Sequence, residues 1–163
     1  MNRAKKDNLL MTILGITFFT NIFGINFFFP PLVSALAAVG WILCGFGAVF
    51  FARSVITLRV KGVNKIVDKG VFGVVRHPMY LGAMMMFLSH IFLGQHWIVV
   101  IGGVVAIGCC YLIIQSGDER NLEKFGDDYK RYMQRVPRMN PLVRMVRLLR
   151  RKEVGTDAKS RQH

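Results

Sequence analysis

The chain has 163 residues, 53% of them apolar and only 19% charged, with a mean hydropathy of +0.39. That excludes an ordinary water-soluble domain, in which roughly a quarter of residues are charged, and a disordered chain, which is poor in apolar residues. The 22 Lys and Arg against 9 Asp and Glu give a net charge of +13. These cations flank long apolar runs and do not dot a globular surface, so they point to a membrane and away from nucleic acid.

The basic start (Arg3, Lys5, Lys6) leads into Leu9–Phe29, 21 residues without a charge. At 1.5 Å per residue a helix of that length rises about 31 Å, enough for a hydrocarbon core. The run is too long for the apolar part of a signal peptide and is followed by Pro30-Pro31 in place of a small-x-small cleavage site, so it reads as a retained helix. The prolines break that helix, since neither can donate a backbone hydrogen bond. Leu32–Ala52 is a second uncharged run of 21, in which Gly40, Gly45 and Gly47 offer small faces for close helix approach. The polar stretch 53–77 follows, with turn signals at Gly70 and Gly73. A third span is expected over 78–96 and a fourth over 97–115, with Trp97 at its interfacial end and Gly94-Gln95-His96 as a tight connection.

Beyond Gln115 the composition turns charged. Asp118–Gln134 has helical propensity, and Phe125, Tyr129 and Tyr132 recur at i, i+4, i+7 to make one face aromatic. Leu142–Leu149 carries Arg144 and Arg147 in a short amphipathic pattern suited to an anionic lipid surface. The expected fold is therefore all-α and integral to the membrane: a single domain over 1–152 with about four transmembrane helices, cytoplasmic stretches at 53–77 and 116–152, an amphipathic cytoplasmic C-terminal segment, and a disordered tail over 153–163. Three Lys/Arg precede the first span, six lie in 53–76 and thirteen follow the fourth, while the two opposite connections hold none. The positive-inside rule then places both termini and the long loop in the cytoplasm. The compact length fits the inner membrane of a prokaryote.

Cys44, Cys109 and Cys110 lie inside apolar runs and read as packing residues. His77, His90, His96 and His163 are isolated by pattern from Cys and from one another, so no metal site is expected.

Two motifs carry polar chemistry. The first, Gly70-Val-Phe-Gly-Val-Val-Arg-His-Pro-Met-Tyr-Leu-Gly82, is a turn, an Arg-His pair, and a Pro that opens a helix. Free N–H groups at such an opening attract anions, and Arg76 and His77 add donors beside them. The second begins with the acidic pair Asp118-Glu119 where the fourth span leaves the bilayer, and continues through Phe125-Gly-x-x-Tyr-x-x-Tyr to Arg135-Val-Pro-Arg138. Carboxylates there can accept bonds from a ligand ammonium or from ribose hydroxyls; alone, each motif also reads as an ordinary flank of a span.

In this order and spacing the two motifs resemble the isoprenylcysteine carboxyl methyltransferase family, and the related phospholipid N-methyltransferases carry a similar pattern. The resemblance covers roughly 64–141. It implies a membrane enzyme that uses S-adenosylmethionine from the cytoplasm to methylate a lipophilic acceptor reached from the bilayer: a prenylcysteine-like carboxylate, a thiol or a lipid amine. Carried over, the cofactor contacts fall on Lys65, Ile66, Val67, Gly70, Phe72, His77, Tyr80, Asp118 and Glu119. The family usually has Glu-Glu where this chain has Asp118-Glu119, and Glu119 is the acid favoured at the cofactor. His77, Glu119 and Arg138 are the expected catalytic residues, and Arg76, Arg135 and Arg138 the candidates for an anionic substrate head or lipid phosphate. Membrane lipids and a lipophilic or lipidated substrate are the expected partners. The integral-membrane sterol and steroid reductases, which bind NADPH, share a similar Arg-x-Pro-x-Tyr stretch and form the second reading. A non-enzymatic membrane scaffold is the third.

Overall fold

The structure, a computed structural model, describes residues 2–61 and 64–140. Four long helices and one short one follow in order: α1 (Arg3–Phe27), α2 (Ser34–Lys61), α3 (Val71–Val74), α4 (Pro78–Gly94) and α5 (Trp97–Arg135). Among the described residues there is no strand. The expected amphipathic stretch at 142–149 and the tail over 153–163 lie outside the described residues.

Among the described residues three helices, α1, α2 and α5, are long and apolar enough to cross a membrane. The expected third span is α4, an apolar helix of 17 residues that rises about 25 Å, at the lower end of the lengths that cross a core about 30 Å thick. The outer surface is apolar, with Phe19, Phe27, Trp41 and Trp97 all exposed. That is unfavourable in water and natural in lipid.

Helix boundaries differ from the sequence expectation at the charged ends. Helix α1 begins at Arg3, where the Asn2 side chain accepts from the Ala4 N–H at 3.4 Å. Helix α2 runs through Arg53 to Lys61, and α5 continues from the apolar run through the charged segment to Arg135. Charge ends a hydrophobic run without ending a helix, because Arg, Lys and Glu are good helix formers. Pro30-Pro31 does end one: the N–H groups of Phe28 and Phe29 both fold back onto the Gly24 carbonyl.

Helix α4 is the centre of the fold, packed by α2 on one side and by α1 and α5 on the other. Its contact with α2 is backbone to backbone. A Cβ on Gly82 would lie 2.6 Å from the Gly47 carbonyl oxygen and 2.7 Å from the Phe51 nitrogen. Gly40 presses similarly on Leu93 and the Ser89 carbonyl, whereas Gly45 faces open space. On the other side Phe87, Ala106 and Cys110 form a buried cluster with Leu14, Phe18 and Tyr80 packed on it. Gln95 makes the α4–α5 turn at φ 44°, and its side-chain amide holds both the N–H and the carbonyl of Val33 at 2.8 and 2.9 Å. The two loops at this end are thereby tied together, which fixes the depth of α4 and hence of Pro78 at its other end.

Candidate active site

The site forms where α4 begins. Pro78 occupies the first turn, so no donor is lost by its missing N–H. The chain enters through Val75 in extended conformation, and there it meets the chain leaving α5: the Arg76 N–H donates to the Pro137 carbonyl at 3.0 Å and the His77 N–H to Arg138 at 3.4 Å. This pairing returns Arg138 to the start of α4.

Four side chains then converge on Asp118, which is 5% exposed. The Arg76 Nη1 donates to Oδ1 at 3.1 Å, His77 Nε2 lies 2.7 Å from the same oxygen, the Tyr129 hydroxyl donates to it at 2.7 Å, and Arg138 Nε donates to Oδ2 at 2.8 Å. Burial alone would push the Asp118 carboxyl up, but the bonds from His77 and Tyr129 and the nearby charges of His77 and Arg76 prevail and hold it at about 2. An ionised carboxylate only accepts, so His77 Nε2 carries the hydrogen towards it. Burial, with the Asp118 charge beside it, pushes the Tyr129 phenol up to about 12, which keeps it a donor. One carboxylate is thus shared by two guanidiniums, and the cluster keeps an excess of positive charge.

That excess borders a cavity of about 220 Å³. Its wall combines Lys65, Ile66, Val67 and Phe72 from the stretch before α4, His77, Met79 and Tyr80 from the start of α4, and Asn121, Phe125, Tyr129 and Tyr132 from α5, with Leu58 and Arg76. Arg76 Nε is buried and has no hydrogen-bond partner among the described residues. An unpaired buried donor costs about 1–3 kcal/mol, so Arg76 Nε keeps the capacity to donate one further hydrogen bond.

A bend in α5 brings the aromatic wall into place. Gly126 has φ 54° and ψ −126°, a backbone region open essentially only to glycine, and the helix resumes beyond it in a new direction. From there Tyr129 reaches Asp118, and the Tyr132 hydroxyl donates to the Phe72 carbonyl at 2.6 Å. Tyr129, Tyr132 and Val136 form a small buried core with Ile66 and Phe125 packed on it. A Cβ on Gly126 would meet nothing within 4 Å, so Gly126→Ala tests the backbone alone. It is expected to destabilise the protein by about 1–3 kcal/mol, read as a lowered unfolding midpoint in detergent. A wild-type midpoint would show that the bend is not required.

A family model described as phospholipid methyltransferase matches residues 33–125. The chain belongs to this family. No curated protein and no solved structure matches the chain. The phospholipid methyltransferase match takes in α2, α4 and the length of α5 up to the bend, including Arg76, His77, Tyr80 and Asp118. Helix α1 and the returning segment with Tyr129, Tyr132 and Arg138 lie outside it.

The residues singled out from sequence divide in the structure. Lys65, Ile66, Val67, Phe72, His77 and Tyr80 share the cavity wall, with Arg76 among them. Asp118 stands behind His77 and Arg76, and Arg138 joins it there. Gly70 is exposed and opens α3 at φ 66° without lining the cavity. Arg135 lines a neighbouring surface cleft with Lys65, Asp68 and Arg131. Glu119 is 60% exposed and faces α1, 3.5 Å from Arg3. Sequence reasoning did not assign Leu58, Asn121, Phe125, Tyr129 or Tyr132 to the site. The i, i+4, i+7 aromatic stripe held the signal for three of them, but nothing in a helical repeat shows which way a bend will turn it.

Proposed function

We propose that this protein is an S-adenosylmethionine-dependent methyltransferase of the membrane, acting on a lipophilic acceptor, with the lipid amine implied by the family's description as the first candidate. The observation that carries the reading is the cavity at the mouth of α4, where an aromatic and aliphatic wall meets the side chains of Arg76 and His77. These residues fit such a cofactor. Ile66, Val67, Phe72 and Phe125 offer apolar surface for a purine, Asn121 offers amide groups for hydroxyls, and the Arg76 guanidinium offers positive charge to a carboxylate. When bound, S-adenosylmethionine supplies a methyl group already activated on a sulfonium.

Positioning and exclusion of water are then the protein's main tasks. Asp118 acts through its partners: it fixes the Arg76 fork and the His77 ring at the cavity wall. The orientation that places both termini and the site in the cytoplasm rests on the distribution of Lys and Arg. In that orientation the cavity opens to the soluble cofactor and the apolar flanks of α1 and α2 face the acceptor's hydrocarbon.

Calorimetric titration of the detergent-purified protein with S-adenosylhomocysteine, with NADPH in parallel, tests the reading. Saturable binding of S-adenosylhomocysteine is expected, weakened about tenfold or more by His77→Ala. Binding of NADPH alone would move the protein to the reductases, and binding of neither by folded protein would favour a scaffold.

A further inference from the structure

A relay of hydrogen bonds leads out of the Asp118 cluster to one more group on the cavity wall. Asp118 lies between the guanidiniums of Arg76 and Arg138, and a carboxylate so placed is ionised and only accepts. The Tyr129 hydroxyl therefore gives its one hydrogen to Asp118 Oδ1, 2.7 Å away, and its oxygen is left as an acceptor. The Asn121 amide reaches that oxygen at 3.3 Å. Only the NH2 end of an amide can donate, so it is Nδ2 that faces Tyr129. The two ends of an amide are alike in shape, and here the neighbouring groups decide between them.

The other end of the amide, Oδ1, has no hydrogen-bond partner among the described residues, and it is not enclosed. Asn121 is half-buried, and it lines the cavity together with Tyr129. The relay thus holds an open carbonyl oxygen at the cavity wall, one turn of α5 before Phe125, which lines the same wall. The oxygen is neutral and stands beside a cluster with an excess of positive charge, which disfavours an ammonium or a sulfonium as its partner. A neutral O–H or N–H suits it. The apolar surfaces of Ile66 and Phe125 suit the body of a nucleoside, whose ribose hydroxyls and purine amino group are donors of that kind.

We propose that Asn121 is a specificity-determining residue for the nucleoside part of the ligand: its Oδ1 accepts one hydrogen from a ribose hydroxyl or from the purine amino group, and Tyr129 is the positioning residue that fixes which end of the amide is offered. A free amide can turn and present either end, so it tolerates a donor or an acceptor at that point. The amide held by Tyr129 presents an acceptor alone, and a ligand that lacks the hydrogen leaves this oxygen unpaired, which is unfavourable once the ligand has excluded water. Asp118 then acts on the cavity along two routes, through the Arg76-His77 pair and through Tyr129 to Asn121. The inference rests on the methyltransferase reading and deepens it, because it names the atom that reads the nucleoside.

The test is calorimetry on the full chain in detergent, comparing S-adenosylhomocysteine with its 2′-deoxy, 3′-deoxy and inosine analogues. The deoxy compounds each lack one ribose hydroxyl, and the inosine compound has a carbonyl in place of the amino group. The wild type is expected to bind at least one analogue about tenfold more weakly than the parent. Asn121→Ala, shown to be folded by gel filtration, is expected to bind the parent and that analogue within about twofold of each other, and the analogue concerned identifies the donor. Tyr129→Phe keeps Asn121 but releases its amide, so it is expected to reduce the discrimination to about threefold or less. A merely structural role for either residue would weaken all the ligands together and leave their ratio unchanged. Equal wild-type affinity for the parent and every analogue would overturn the proposal, as would a discrimination that survives Asn121→Ala. Full discrimination in Tyr129→Phe would overturn the positioning role. Should one variant fail to fold or to bind at all, the ratio measured in the other decides. Failure of the wild type to bind S-adenosylhomocysteine would defeat the methyltransferase reading itself, and this inference with it.

Discussion

Asp118→Ala is expected to cost about 3–5 kcal/mol of stability and to abolish binding of S-adenosylhomocysteine. The size follows from what the residue holds. Arg76, His77, Tyr129 and Arg138 all bond to it, and they come from the start of α4, from α5 beyond the bend and from the returning segment. Removing the carboxylate leaves two guanidiniums close together, with the Arg76 side chain only 8% exposed. Breaking a buried ion pair from one side costs far more than the pair contributes, because the remaining charge is uncompensated. Asp118→Asn keeps an acceptor oxygen and loses the charge, so it should fall between alanine and wild type. Chemical unfolding in detergent, followed by calorimetry on the folded fraction, separates the two effects. Wild-type stability in both variants would mean that the cluster does not hold the site.

The same cluster sets a dependence on pH. Asp118 is held at about 2 in the fold against an ordinary value of 3.8, so the folded state favours the ionised form. The resulting stabilisation, about 2–3 kcal/mol, is complete above about pH 4 and is lost as pH falls towards 2. Acid unfolding of the wild type should therefore show a component in that window that Asp118→Asn lacks. An unchanged acid profile in the variant would assign the transition to other carboxylates.

Much of this architecture is legible in composition and order, and the rest has identifiable reasons for being hidden. Pro30-Pro31, Pro78 and Gly94-Gln95-His96 mark breaks and starts that the backbone obeys, because proline chemistry and tight turns are local. The uncharged run of α2 ends at Arg53 but the helix does not, since helical hydrogen bonding continues wherever the residues are good helix formers. At the site, the Arg76-His77-Pro78 motif and the 65–72 stretch are local and stay together. Which acid of the pair turns inward is not local. Asp118 and Glu119 are adjacent, so helical geometry sets them about 100° apart, and only the packing of α1 against α5 decides that Glu119 meets Arg3 while Asp118 meets the arginines. Tyr129, Tyr132 and Arg138 reach the site through the bend at Gly126 and the pairing of 76–77 with 137–138. Both are long-range consequences of a backbone that a periodicity count treats as straight.

Gly82→Ala should be nearly as damaging, although it adds a single methyl group far from any charge. The new carbon would sit 2.6 Å from the Gly47 carbonyl oxygen and 2.7 Å from the Phe51 nitrogen. Both obstacles are backbone, so no rotamer change relieves them and α2 must move off α4. Overpacking of this kind costs about 1–3 kcal/mol, with the upper end expected for an immovable neighbour. Gly45→Ala is the matched control: it lies on the same α2 helix, nothing stands within 4 Å of its added carbon, and the better helix propensity of alanine makes it neutral or stabilising by up to about 1 kcal/mol. The contrast isolates the contact from any general intolerance of glycine replacement. Because Pro78, Met79 and Tyr80 occupy the first turn of α4, one turn from Gly82, displacement of α4 also shifts part of the cavity wall. Gly82→Ala is therefore expected to weaken S-adenosylhomocysteine binding as well as lower the unfolding midpoint in detergent, while Gly45→Ala changes neither for the worse. Equal behaviour of the two variants would show that the close approach of α2 and α4 is not what sets the position of the site.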